Sequence, residues 1–272
     1  MRSRRDQSSL AMNKTPLFSI VVTTHRRPQT LTRALRSLLA QTFTDFEIVL
    51  VADEGSLETK ETATRFLREE DIFLVLPHVK GPAESRNAGV YHAKGSYILY
   101  LDDDDSYQEN FLADLTNVPG FRNDAVNYVN YTQLKEIRSP QEIQTISSAE
   151  MRLGDIEIST LLVSNFIPNN AIILPAAMAK LNRVDVNLES HEDWDYLLSL
   201  VLKHDFNFLD ISGPVVHINT GESRNNDAKA SGSIALDFLS IYRKWPIQDD
   251  AVKARRKDML KQLGFDLPQE LL

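Results

Sequence analysis

The stretch Tyr97-Ile-Leu-Tyr-Leu-Asp-Asp-Asp-Asp105 runs strand-forming residues straight into four consecutive carboxylates. Four acids in a row repel one another, and buried acids are costly unless they are paired or bound to a cation. At the carboxyl end of a strand such a run suits Mg²⁺ or Mn²⁺, which prefer hard oxygen ligands. An acidic turn in solvent explains it equally well, and the stretch alone leaves both readings open. Adjacent strand residues point to opposite faces, so the four acids cannot all bind one ion. A second acidic group, Ser190-His-Glu-Asp-Trp194, leads a helical pattern. There Ser190 with Asp193 three residues on has the form of a capping box.

The elements around these acids alternate. Phe18 to Thr24 reads as a strand, and Pro28 opens a helix with Leu31, Ala34, Leu35, Leu38 and Leu39 at helical spacing. Phe46 to Ala52 is continuously apolar, as in a parallel strand covered on both faces. It ends at Asp53, and Ser56 caps a following helix. Ile72 to Leu76 is a third strand, and Pro82 to Tyr91 a helix closed by Gly95. The acidic strand is the fourth. This alternation predicts a doubly wound α/β sheet, with right-handed crossovers bringing the strand ends to one rim, where ligands bind. Thr23, Thr24, Asp53 and Asp102 to Asp105 converge there.

Beyond the acids the signal weakens. Asp124 to Tyr131 alternates like a half-exposed strand, and residues 132–165 show no clear period. Trp194, Leu197, Leu198, Val201 and Leu202 share one helical face. Two short strands are expected around Gly213-Pro214, then a mobile loop from Asn219 to Ser233. Two amphipathic helices follow, one with Ile234, Phe238, Ile241, Tyr242 and Trp245. The last has Lys253, Arg255, Arg256, Lys257 and Lys261 on the face opposite its apolar residues. The expected organisation is a disordered leader over 1–15, a catalytic domain over 16–228 with a nucleotide-binding half (16–120) and an acceptor-binding half (121–228), and a helical extension over 229–272.

The 272 residues, 42% hydrophobic and 25% charged, describe an ordinary globular chain. A net charge of −8 argues against a general nucleic-acid binder. Without cysteine there are no disulfides and no thiolate chemistry, which fits a reducing compartment. No apolar run reaches the roughly 18 to 20 residues of a membrane span, and the basic start lacks the apolar segment of a secretory signal. The expected location is cytoplasmic, either free or at the inner face of the membrane. The basic face of the last helix is either a surface for anionic lipid or a partner, or a plain solvated face.

Several of these segments resemble GT-A fold, family 2 glycosyltransferases. Ser19 to Pro28 resembles the family's opening strand and turn, with Thr-His-Arg-Arg where Tyr-Asn is more usual. Ser37 to Thr42 and Glu47 to Asp53 resemble the following helix end and second strand, although Ala52-Asp53-Glu54-Gly55-Ser56 replaces two acids followed by Gly-Ser. Glu84 to Gly89, Ala93 to Ile98 and Leu101 to Asp105 resemble the middle segment and the DxD motif. Glu192-Asp-Trp194 resembles the acidic pair that supplies the catalytic base.

The resemblance implies an enzyme moving a sugar from a nucleoside diphosphate, UDP by default, to a glycan or polysaccharide hydroxyl with inversion. Mn²⁺ or Mg²⁺ would be the cofactor. Asp104 would be the metal ligand, with Asp102 supporting it and Asp103 facing the ribose or sugar. Asp105 is left to turn or helix-capping chemistry. Thr23, Thr24 and Asp53 would hold the base and ribose. Arg86, and with less support Lys80 and Arg26, would meet the diphosphate; a surface ion pair competes for Arg86. Asp193 would be the base, with Glu192 or a plain capping role as alternatives. His217 would touch metal or phosphate, or be structural. His191 would contact the acceptor or merely begin a helix. The loop from Asn219 to Asn226, with Gly221 as hinge and Arg224 on phosphate, would close over the donor. A sugar nucleotidyltransferase and a non-catalytic nucleotide-sugar binder are the competing functions. The first would prefer a glycine-rich loop where Thr23 to Pro28 has none.

Overall fold

The computed structural model describes residues 15–139, 142–188, 190–221 and 233–272. β1 (Phe18–Thr24), α1 (Pro28–Leu39), β2 (Phe46–Ala52), α2 (Leu57–Phe66), β3 (Ile72–Val75), α3 (Pro82–His92) and β4 (Tyr97–Asp102) follow in order. Every residue of β1 and β2 is buried, the condition that continuous apolar runs in a parallel sheet require. The order β3-β2-β1-β4 is parallel throughout, so four carboxyl ends share one rim. Register sets Thr23 beside Asp102 and Thr24 beside Ala52, with Asp53 one residue beyond.

Local chemistry agrees with these boundaries. Pro28 and Pro82 stand in the first turns of their helices, where a missing N–H costs nothing. The Ser56 hydroxyl accepts the Thr59 N–H and caps α2. Gly89 lets α3 press on β1, since a Cβ there would lie 2.3 Å from Val21 Cγ1.

The sheet continues through β5 (Ser106–Tyr107), α4 (Phe111–Asn117), β6 (Val126–Arg138), β7 (Ile143–Met151), β8 (Ile172–Pro175) and α5 (Ala176–Leu181). α6 (Glu192–Val201) and β9 (Phe206–Asn219) come next, then α7 (Ser233–Lys244) and α8 (Asp250–Gln262). β8 runs antiparallel beside β4, and β6, β9 and β5 extend the same sheet. The aperiodic 132–165 stretch holds the rest of β6, all of β7 and a 3₁₀ turn, Ile158–Leu162. β7 pairs only with β6 and is exposed along nearly its whole length, so no buried face imposes alternation on it. The two strands expected around Gly213-Pro214 are one strand, β9, whose pairing with β6 shifts register near Ser212.

Trp194 and Leu198 of α6 pack with Ala235, Ile241 and Tyr242 of α7 and Leu260 of α8 in a second apolar cluster. The last helix departs from expectation. Arg256 is fully buried with its guanidinium 4.3 Å from the Tyr242 ring centroid, and Arg255 donates to the Thr160 hydroxyl. Two of its five cations therefore turn inward.

Gly89→Ala is expected to lower stability by about 1–3 kcal/mol, the usual cost of overpacking. Urea unfolding checks this, and an unchanged midpoint would contradict the close approach of α3 to β1.

Candidate active site

A cavity of about 410 Å³ opens at the rim, lined by Thr23, Asp53, Arg86, Asp102, Asp104 and Glu192 among others. β4 ends at Asp102, and the remaining acids form a turn in which the Asp105 N–H donates to the Asp102 carbonyl at 3.0 Å. Asp103 and Asp105 are buried, Asp102 and Asp104 partly open. The Asp103 carboxylate accepts the Thr24 hydroxyl at 2.7 Å. Burial pushes its pKa up to about 6, against the pull of Thr24 and Arg27. Its partners are protein groups that anchor the β1–α1 turn, and it also lines the cavity, where a contact to ribose or sugar is expected. Asp105 accepts the His217 backbone N–H and the Asn170 amide, each at 2.9 Å, and burial raises its pKa strongly. It ties β4 to β9 and caps no helix; α4 begins after Asn110.

Arg86 is the central cation. One guanidinium nitrogen donates to Glu192 at 2.7 Å and another to Asp102 at 3.0 Å. With the Asn169 amide oriented to satisfy its partners, its oxygen accepts two further Arg86 donors at 3.2 Å. Burial opposes the charge, yet Asp102 and Glu192 more than offset it and leave the pKa raised. The group expected at the diphosphate thus joins the β4 acid to the α6 acid.

Asp53 lines the cavity, and its two oxygens accept the backbone N–H groups of Lys80 (2.5 Å) and Gly81 (3.0 Å). Its first role is to hold the turn into α3, where Gly81 has φ +84°. Lys80 contributes this backbone donor. Arg26, also expected near phosphate, pairs with Glu54 on the exposed surface at 2.5 Å. Its neighbour Arg27, which sequence reasoning passed over, lines the cavity and meets Asp103 and Asp104 at 3.3 and 3.2 Å.

Asp104 also meets Arg138 at 3.3 Å. Arg138 and Arg33 converge on buried Glu136 at 2.6 and 3.0 Å. Both His217 ring nitrogens are engaged, Nδ1 with Glu136 (3.0 Å) and Nε2 with Ser106 (2.9 Å); burial, then Arg33, lowers its pKa. His217 is therefore structural in this arrangement. Arg33, Glu136 and Arg138 were missed because Arg33, Asp104 and His217 lie far from the Glu136–Arg138 pair in sequence and no local motif marks them. Among the described residues no three His, Cys, Asp or Glu side chains form a ready-made metal cage. The carboxylates that could hold a cation together with substrate phosphates are Asp102 and Asp104.

The capping box is not formed. His191 stands at the N-cap of α6 in the left-handed region (φ 56°), without a side-chain cap bond. Its ring packs 5.5 Å from that of Phe238. Asp193 Oδ1 accepts the Trp194 N–H at 2.7 Å, and Oδ2 accepts the Asn165 amide at 3.2 Å. Burial, reinforced by Glu192, raises the Asp193 pKa. Buried Asp195, also overlooked, accepts Trp245 Nε1 (2.7 Å) and the Lys244 ammonium (2.8 Å). Arg224 and the rest of the expected donor loop after Gly221 lie outside the described residues.

The parallel strands, their acidic rim and the antiparallel extension through β8 make this a GT-A fold. The S. aureus TarS 1–349 structure in complex with UDP-GlcNAc superposes with a TM-score of 0.61 at 17% identity, covering 92% of this chain and 73% of that one. The mannosyltransferase PcManGT from Pyrobaculum calidifontis, in complex with GDP-Man and Mn²⁺, gives 0.63 at 9% identity, covering 93% and 74%. The sequence profile of glycosyl transferase family 2 matches residues 19–158. The chain belongs to that family and is a glycosyltransferase. An uncharacterized glycosyltransferase of Haemophilus influenzae is 26% identical over 232 residues, 82% of this chain and 76% of the relative. The GalNAc(5)-diNAcBac-PP-undecaprenol beta-1,3-glucosyltransferase of Campylobacter jejuni is 32% identical over 103 residues, 37% of this chain and 33% of that protein. The chain thus spans about three quarters of the first relative's length and a third of the second's.

Glu136→Gln is expected to cost about 3–5 kcal/mol, because it leaves Arg33 and Arg138 without their buried counter-charge. A urea midpoint equal to wild type would contradict this.

Proposed function

We propose that this chain transfers a sugar from a nucleoside-diphosphate sugar, with UDP as the nucleotide, to a hydroxyl of a glycan or polysaccharide acceptor, inverting the anomeric centre. The observation that carries the reading is the single cavity bordered by Asp102 and Asp104 on one side and by Glu192 on the other, with Arg86 joining the two. The likeness in fold to proteins holding UDP-GlcNAc and GDP-Man supports it.

In this reading the Asp193 carboxylate removes the acceptor hydroxyl proton. The acceptor oxygen forms a bond to the anomeric carbon as the bond from that carbon to the diphosphate oxygen breaks, and the electron pair leaves with the nucleoside diphosphate. Burial of Asp193 raises its basicity, which favours it over Glu192, whose carboxylate is engaged by Arg86. Thr23 and Asp53 form the wall that would receive the nucleoside. The two open acids fit Mn²⁺ or Mg²⁺ held by one or two carboxylates and otherwise by phosphates and water. When bound, such an ion stabilises the charge developing on the leaving diphosphate. Arg27 and Arg138 neutralise Asp104 in its absence and are the cations nearest to take up phosphate oxygens instead.

Among the described residues no helix is long and apolar enough to cross a membrane. Contact with an anionic membrane at the cytoplasmic face, through Lys253, Lys257 and Lys261, belongs to the proposal.

A donor panel of UDP-, GDP- and dTDP-sugars read by thermal shift tests the scheme. UDP-sugars are expected to raise Tm more with Mn²⁺ than without, and Asp104→Asn to abolish that difference. Equal shifts with and without the ion, or none with any nucleotide, would overturn it.

A further inference from the structure

Glu192 lines the cavity and Asp193, next to it in sequence, lies outside that lining, where its hydrogen-bond partners fix its carboxylate. The Asn165 amide oxygen accepts the Ile167 backbone N–H at 3.0 Å. A backbone N–H can only donate, so this bond fixes the orientation of the amide and turns Nδ2 toward Asp193 Oδ2 at 3.2 Å. The other Asp193 oxygen is held by its own helix through the Trp194 N–H. Of the two bonds, only the one to Asn165 depends on a separate segment staying in place.

That segment is pinned at consecutive positions by α6 and the last two helices. Arg255 donates to the Thr160 hydroxyl at 2.8 Å. Trp194 Nε1 donates to the Leu161 carbonyl at 2.7 Å. Arg256 Nε donates to the Leu162 carbonyl at 2.8 Å, and the Tyr242 hydroxyl to the Val163 carbonyl at 2.7 Å. A buried arginine is expensive without a carboxylate partner, and among the described residues Arg256 has no side-chain carboxylate against it. Arg256 is retained with its charge facing backbone oxygens and the Tyr242 ring.

We propose that Asn165 is a positioning residue for the Asp193 carboxylate, and that α7 and α8 fix it by holding the 160–163 segment through Arg255, Arg256 and Tyr242. The inference rests on the reading of Asp193 as the base. A donor on Oδ2 favours the ionised carboxylate and restricts its rotation, leaving the remaining lone pairs aimed in one direction. The other groups acting on Asp193 are Glu192 and His191 from its own helix and Arg86 from α3. Asp237 of α7 faces His191 at 3.7 Å. Loss of the Asn165 donor leaves burial and Glu192 less opposed, so the carboxylate ionises at higher pH.

The test uses the full chain with Mn²⁺, water as acceptor, and UDP-glucose, UDP-GlcNAc, GDP-mannose and dTDP-glucose as donors, reading nucleotide release against pH. Asn165→Asp keeps the acceptor for Ile167, removes the amide donor and sets a second carboxylate against Asp193, so its acid limb is read only beside that of Asn165→Ala, which adds no charge. Asn165→Asp is expected to lower kcat about tenfold or more, leave the donor KM within about twofold, and move the acid limb of the profile upward. Asn165→Ala should do the same. Tyr242→Phe, which removes one hydroxyl far from the cavity, should move kcat and the acid limb in the same direction to a smaller extent. Wild-type kcat and acid limb in both Asn165 variants overturn the positioning role, and wild-type values in Tyr242→Phe overturn the part given to the helices. Asp193→Asn separates the two layers, with an expected loss of about a hundredfold or more. If it keeps wild-type turnover, or if no donor is turned over, the reading of the base fails. If it abolishes turnover while the Asn165 variants are normal, only the inference fails.

Discussion

A buried guanidinium holding two acids from distant parts of the chain is the constraint on which this site depends. Arg86 rises from α3 between Asp102, at the end of the parallel sheet, and Glu192, at the start of α6. Breaking a buried pair by removing one partner typically costs about 3–5 kcal/mol, because the remaining charge is stranded. The two halves of the cavity are therefore coupled through one side chain. Its position is prepared by backbone: Asp53 holds the turn into α3 at Lys80 and Gly81, and Gly89 allows the helix to lie against β1.

The acid run resolves by direction. The turn after β4 buries Asp103 and Asp105, each satisfied by hydrogen bonds, and leaves Asp102 and Asp104 partly open at the cavity. Behind them Glu136 gathers Arg33, Arg138 and His217. Asp102 and Asp104 are thus already paired with arginines, and a ligand of the site must compete with those partners. Arg27, 44% exposed, is the partner most easily displaced.

The parallel half was legible because its strands are buried on both faces and its helices carry proline and serine at their starts. The carboxylates and Arg86 were legible as types, and register brought Thr23 beside Asp102 as the convergence at the rim required. What they touch was not legible. Arg86 reads as a phosphate contact or a surface ion pair, and neither reading names Glu192, 106 residues away, as its partner. His217 reads as a ligand or a structural residue, and Glu136 and Ser106 engage its ring, while a capping box at Ser190 is replaced by the left-handed turn at His191. β7 had no signature because an exposed edge imposes no pattern, and Asn165 carried none because its importance lies in what α7 and α8 hold in place.

The most direct test of the account is a double-mutant cycle between Arg86 and Glu192, read as UDP affinity in the presence of Mn²⁺ by calorimetry. Arg86→Met is expected to weaken binding about tenfold or more and Glu192→Gln several-fold, with the double variant no weaker than Arg86→Met alone, since Glu192 acts on the donor site through Arg86. Losses that simply add, or a donor affinity indifferent to Arg86, would contradict a site in which one guanidinium joins the two halves.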